Sequence, residues 1–211
     1  FVYGIQNLGC GPSVSKLVPK VQSTAKILYT IYIILTIVEI IFLLIGKMPL
    51  FDTLCLSFGT AGTGGFGIKN DSIASYSTYN QVVITVFMIL FGINFNAYYL
   101  LLTKKVMQAA KNEEVRYYLG IIGLAIVAIA INTREMFTSF GRAFQQAAFQ
   151  VGSIITTTGY ATTDFNVWPV FSKTILVILM FVGACAGSTG GGIKVSRFIV
   201  MVKTMIKELN S

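Results

Sequence analysis

The chain has 211 residues, of which 55% are hydrophobic and only 11% charged, with a formal net charge of +8. A soluble domain carries about 25% charged residues, so an ordinary soluble fold does not fit and a membrane-embedded one is expected. Histidine is absent, and the three cysteines, Cys10, Cys55 and Cys185, match no metal-site spacing. That removes the usual general base, which argues against hydrolytic chemistry, and offers no disulfide framework; the chain is expected to be no enzyme and to bind no cofactor. The basic residues flank apolar runs instead of clustering on a soluble face, which points to a lipid bilayer as partner and not to nucleic acid. The chain opens on Phe1 instead of Met and carries no signal peptide, so it reads as a fragment.

Residues 1–26 read as a cytoplasmic linker. Ile27–Ile45 is then an apolar run long enough to span a bilayer as a helix. Glu39 lies inside it; a carboxylate there is a functional candidate by default, or sits in the outer half near water. Leu50–Thr60 is too short to span: as a helix it reaches about 15 Å, half a membrane. Gly62-Thr63-Gly64-Gly65-Phe66-Gly67 and a polar connector, Lys69–Asn80, follow. Gln81–Leu102 is a second apolar run, interrupted by Gly92, Asn94 and Asn96. After a basic linker, 104–116, a third run covers Tyr117–Ile131. Phe137–Ile155 is a second short semi-polar helix, followed by Thr156-Thr157-Thr158-Gly159-Tyr160 and the connector Ala161–Asn166. A fourth run, Val170–Ala186, ends in the Gly-rich stretch Gly183–Gly192. Ile193–Ile206 continues as a basic amphipathic helix.

The order of elements therefore recurs: spanning helix, half-helix, Thr/Gly loop, spanning helix. Residues 27–103 form one unit and 117–211 the other. Gly65 and Gly159 are 94 positions apart, each followed by an aromatic and preceded two residues earlier by threonine. Charge sets the expected orientation. Lys16, Lys20 and Lys26, then Lys104, Lys105, Lys111 and Arg116, then Lys194, Arg197, Lys203 and Lys207 fall on one side, which is cytoplasmic by the positive-inside rule. Both Thr/Gly loops then enter from outside and return there.

Irregular backbone is tolerated at membrane depth only where protein buries it or water reaches it. A half-helix followed by a Thr/Gly loop meets that condition if it lines a pore. The helix aims its C-terminal partial negative charge at the membrane centre, and backbone carbonyls of the loop can replace an ion's water shell. Residues at φ > 0 are what lets successive carbonyls share one side. The alternative is that the loops are plain turns on the outer surface. The fold expected is an all-α integral membrane protein with two tandem helix–pore-loop–helix repeats and a cation-selective pore, of which this chain forms half. Thr63, Gly64, Gly65, Thr157, Thr158 and Gly159 are the expected ion-binding residues.

The chain resembles the Trk/Ktr/HKT superfamily of potassium transporters, and its TrkH branch most. The resemblance is carried by Gly11-Pro12-Ser13 with Leu17-Val18-Pro19, Gly62–Phe66, Thr156–Tyr160 with Trp168-Pro169, and Gly183–Gly192. It implies the third and fourth of four repeats around one pseudo-fourfold, potassium-channel-like pore, with potassium as the transported ion in the cell membrane. It also implies a homodimer of the full-length protein and a cytoplasmic nucleotide-binding regulatory (TrkA-like) subunit. Gly92, Asn94 and Asn96 would mark a broken helix that gates the pore, or ordinary helix packing with polar groups bonded across the interface. Lys194 and Arg197 would place positive charge below the pore facing that gate, or serve as a cytoplasmic anchor. The stretch from Gly187 to Lys194 is not a phosphate loop: Ile193 separates Gly192 from Lys194, and Val195 stands where Ser or Thr is needed. Two other classes fit less well, a secondary transporter of another solute and a non-conducting assembly subunit. The first predicts an inverted repeat, whereas this one is parallel.

Overall fold

The computed structural model describes residues 17–102, 107 and 112–209. Gly11-Pro12-Ser13, Cys10 and most of the linker expected over 104–116 lie outside the described residues. The first helix, α1 (Leu17–Ile45), runs 29 residues, about 44 Å at 1.5 Å per residue. Its outward side chains, among them Ile33, Ile34, Ile37 and Ile41, are apolar and exposed, a surface suited to lipid. It closes through Lys47 N to Leu44 O, 2.9 Å, with Lys47 at φ +58°. The half-helix α2 (Leu50–Ala61) starts directly after Pro49, whose fixed φ suits a helix start.

The second apolar run is two helices, α3 (Thr78–Phe91) and α4 (Phe95–Leu102), bent by 90° where Gly92, Ile93 and Asn94 separate them. Helix α5 (Glu113–Asn132) is capped by Asn112, whose side chain accepts from Glu114 N. Glu113 and Glu114 fall in its first turn, where negative charge meets the helix dipole favourably. A 3₁₀ turn, Arg134–Met136, leads to α6 (Phe140–Ile155), capped by Ser139. Another, Phe165–Val167, leads to α7 (Val170–Phe181), and the chain closes with α8 (Val195–Leu209).

The fourth run is the main departure from the sequence reading. It does not continue to Ala186: α7 ends at Phe181 after 12 residues, about 18 Å. From Val182 the chain is irregular, because Gly183 packs its backbone against Gly191 and Gly192, leaving no room for a Cβ. The strand-like touch of Val182 on Ile193 closes the base of this loop. Among the described residues, Ala25–Ile45 and Glu113–Asn132 are long and apolar enough to cross a bilayer unbroken, and α3 and α4 reach that length only when the bent pair is taken together.

Two apolar cores result. One joins α1, α2 and α3 through Leu43, Leu56, Ile84 and Met88; the other joins α5, α6 and α7 through Tyr118, Ile129, Val151 and Leu176. Each half lends residues to the other: Phe149 and Tyr160 enter the first core, while Ile89 and Ile93 pack against the second. Polar bonds reinforce the seam, with Gln145 Nε2 donating to Gln81 Oε1 (2.9 Å) and Ile73 N to Ala161 O (3.0 Å). At the far end Lys203 Nζ meets Glu113 Oε2 at 2.7 Å, with both side chains more than half exposed. Exposed pairs of this kind contribute little, so Lys203→Ala is expected to leave the thermal midpoint unchanged within error in a melting assay.

Candidate functional site

The C-terminal ends of α2 and α6 run into the two Thr/Gly loops with the same backbone. Gly62 N donates to Phe58 O, Thr63 N to Thr60 O and Gly64 N to Gly59 O. At an offset of 94, Thr156 N donates to Gly152 O, Thr157 N to Ile154 O and Thr158 N to Ser153 O. Thr63 and Thr157 adopt φ of +52° and +58°, and Gly65 and Gly159 adopt +71° and +90°. Positive φ is uncommon for a residue with a Cβ and stands out for a β-branched one; here it occurs at matching threonines.

The loops meet backbone to backbone. A Cβ on Gly65 would collide with the Thr158 carbonyl oxygen and lie 3.2 Å from Gly159 Cα, whereas one on Gly159 would come no closer than 3.9 Å to Gly65. Glycine at 65 is thus required by both conformation and contact. The second loop is held from behind: Ser153 Oγ donates to Tyr160 O at 2.6 Å, and the Thr156 and Thr158 hydroxyls are 2.7 Å apart. Gly64 and Thr157 are exposed, Thr63 and Gly65 half-buried, and Thr158 buried.

The aromatics after the glycines differ. Tyr160 is fully buried; it seats against Gly59 of the other half and donates its hydroxyl to Leu56 O at 3.2 Å. Phe66, its counterpart, is 85% exposed. Near Tyr160 lies Glu39, fully buried and facing Thr60, with neither carboxylate oxygen hydrogen-bonded among the described residues. Its carboxyl is therefore enclosed by protein and not open to water. An ionisable group buried without a hydrogen-bond partner carries a desolvation cost that an apolar side chain of similar size does not. Glu39→Met is accordingly expected to raise the thermal midpoint of the purified protein, and a lower midpoint in a melting assay would show that the carboxyl is satisfied.

The Gly-rich stretch after α7 lies against both loops and against the α3–α4 break. Thr63 Oγ1 donates to Thr189 O at 3.4 Å, and Gly191 N donates to Thr157 Oγ1 at 2.7 Å. Cys185 N donates to Gly92 O at 3.1 Å and Phe95 N to Gly187 O at 3.1 Å. Gly92 itself is buried, with no space for a Cβ beside the Tyr118 hydroxyl. Asn94 bridges: its Oδ1 accepts from Asn96 N at 2.9 Å and its Nδ2 donates to Glu114 Oε2 at 3.2 Å. Lys194 Nζ donates to Gly190 O. Thus Gly92, Asn94 and Lys194 gather with Thr63 and Thr157. The side chains of Asn96 and Arg197 are exposed, and among the described residues no bond joins the Arg197 guanidinium to this cluster.

Sequence reasoning missed Glu114 and the contact of Thr189 and Gly191 with the loops. Glu114 stands in the sequence as one of two linker acids, useful for weighing topology, with nothing to show that its partners are 20 and 72 residues away.

The chain is similar to known proteins along nearly its whole length. The family model described as "TrkH: Cation transport protein" matches residues 14–124 and 117–211. The Trk system potassium uptake protein TrkH of Salmonella typhimurium is 32% identical over 199 residues, covering 92% of this chain and 41% of that protein. TrkH of Vibrio parahaemolyticus is 35% identical over 202 residues, with the same coverage. The crystal structure of the potassium transporter TrkH from Vibrio parahaemolyticus superposes with a TM-score of 0.85 at 32% identity, over 99% of this chain and 45% of that one. The chain spans less than half the length of these relatives. Its apolar helices make it an integral membrane protein of a transporter family, not of an enzyme family. With two matched segments that together run from residue 14 to the C-terminus, the chain belongs to the TrkH family of cation transport proteins.

Proposed function

We propose that this chain contributes two of four walls to a potassium uptake pathway across the cell membrane, with both Thr/Gly loops entering from outside. The observation that carries this reading is the paired left-handed backbone at Thr63/Gly65 and Thr157/Gly159. Alternating handedness turns successive peptide planes, so the carbonyls of Thr63, Gly64, Gly65, Thr157, Thr158 and Gly159 can face one ion path and replace its hydration shell. The α2 and α6 C-termini add partial negative charge behind them.

The contrast between Tyr160 and Phe66 supports a ring with further walls. Tyr160 of one wall seats in the pocket beside Gly59 of its neighbour. By repetition, Phe66 seats in a neighbour supplied by the rest of the protein. Below the loops, Gly92, Asn94 and Asn96 with Lys194 and Arg197 form the gate, closed by the Gly-rich stretch lying across both threonines. The whole protein works as a homodimer with a cytoplasmic nucleotide-binding regulatory subunit of the Trk system.

The test is rubidium uptake by potassium-uptake-deficient cells expressing the full-length parent protein. Uptake that restores growth at low potassium is expected. No uptake from a correctly inserted protein overturns the reading.

A further inference from the structure

Helix α5 carries two side chains on one face, one turn apart, that reach the broken helix. Tyr118 donates its hydroxyl to Ile89 O at 3.2 Å, a carbonyl at the end of α3. Glu114 does more. Its Oε2 accepts from Asn94 Nδ2 at 3.2 Å, and its Oε1 accepts from Ala186 N at 2.6 Å. One carboxylate thus holds the α3–α4 break with one oxygen and the Gly-rich stretch with the other. These segments and their flanks also meet through backbone bonds, Cys185 N to Gly92 O and Phe95 N to Gly187 O, and through Thr189, whose N and Oγ1 both donate to Phe91 O. Hydrogen bonds to an ionised group are the stronger kind, and both oxygens are engaged at once.

We propose that Glu114 is the latch of the gate, a positioning residue whose carboxylate clamps the Gly92–Asn94 break and the Gly-rich stretch together beneath the Thr/Gly loops. Because Glu114 lies in the first turn of α5, moving that turn releases both segments in one step. Asn112 caps the same turn, and Glu113 beside it meets Lys203 of α8 at the surface. The latch presupposes the gated pathway proposed above, but it has a readout of its own. Cys185 adjoins Ala186 and is fully buried, so its thiol reports release of the clamp without any ion flux.

The experiment uses the full-length parent protein in inside-out membrane vesicles, with Cys10→Ser and Cys55→Ser, any cysteines outside this chain replaced, and Cys185 retained. Reaction of Cys185 with a maleimide and rubidium flux are both measured. Glu114→Ala is expected to speed labelling of Cys185 by about tenfold or more, since two charge-assisted bonds are lost, and to raise basal flux. Glu114→Gln keeps an acceptor for Ala186 N but presents a donor to Asn94 Nδ2; it is expected to label fast alone and slowly again when combined with Asn94→Asp. That rescue distinguishes a specific clamp from general loosening and covers the case in which Glu114→Ala fails to insert. Fast labelling without any rubidium flux supports the latch and counts against the ion pathway. Unchanged labelling in Glu114→Ala, or no rescue by the paired exchange, overturns the latch.

Discussion

Gly65→Ala is expected to reduce cation uptake by the full-length protein to background at matched expression. Two effects act together. An L-residue forced into the left-handed region costs about 1–2 kcal/mol, and Gly65 sits at φ +71°. The second effect is larger: the added methyl group would collide with the Thr158 carbonyl oxygen, a backbone atom of the opposing loop that cannot swing aside as a side chain can. Relieving that collision means moving one loop off the other, and with it the carbonyls proposed to face the ion. Gly159→Ala provides the internal comparison. It meets the same conformational penalty at φ +90°, but its nearest neighbour would be 3.9 Å away. Rubidium uptake is therefore expected to fall in the order unmodified, Gly159→Ala, Gly65→Ala. Equal and full uptake in all three would remove the loops from the pathway.

Asn94→Leu is expected to change flux in the opposite sense. Asn94 holds the break with two bonds, to Asn96 N and to Glu114, and leucine can make neither. Losing bonds of which one is to a carboxylate weakens the closed arrangement enough to raise basal uptake by about tenfold. The measurement is initial-rate rubidium uptake at matched expression. A rate unchanged or lowered would mean that the break is packing and not a gate.

Much of the fold is legible in the sequence because its punctuation is strong. Runs of apolar residues mark the bodies of α1 and α5, although α1 begins at Leu17, ahead of the run that signals it. The 94-residue offset shows through Thr63/Thr157 and Gly65/Gly159, since a left-handed backbone selects glycine at two of the four positions. The rest depends on contacts that a linear pattern does not record. Val170–Ala186 is apolar enough to read as one span, but Gly183 must meet Gly191 and Gly192, and that long-range packing stops α7 at Phe181. The Gly-rich stretch reads as the end of the fourth run; its contact with Thr63 and Thr157 links residues 126 and 34 positions apart. Glu114 carries no local mark of its role for the same reason. The burial of Tyr160 follows from its contact with Leu56 and Gly59 of the other half, which the loop sequence itself does not show.

If the two Thr/Gly loops face one cation path, they share a set of ion positions. Anomalous diffraction from crystals of the full-length protein, grown with rubidium in place of potassium, locates those positions. Anomalous density is expected beside the backbone carbonyls of Thr63–Gly65 and Thr157–Gly159, on an axis shared by both loops. Rubidium density elsewhere in the protein, with none beside these carbonyls, would rule out such a path.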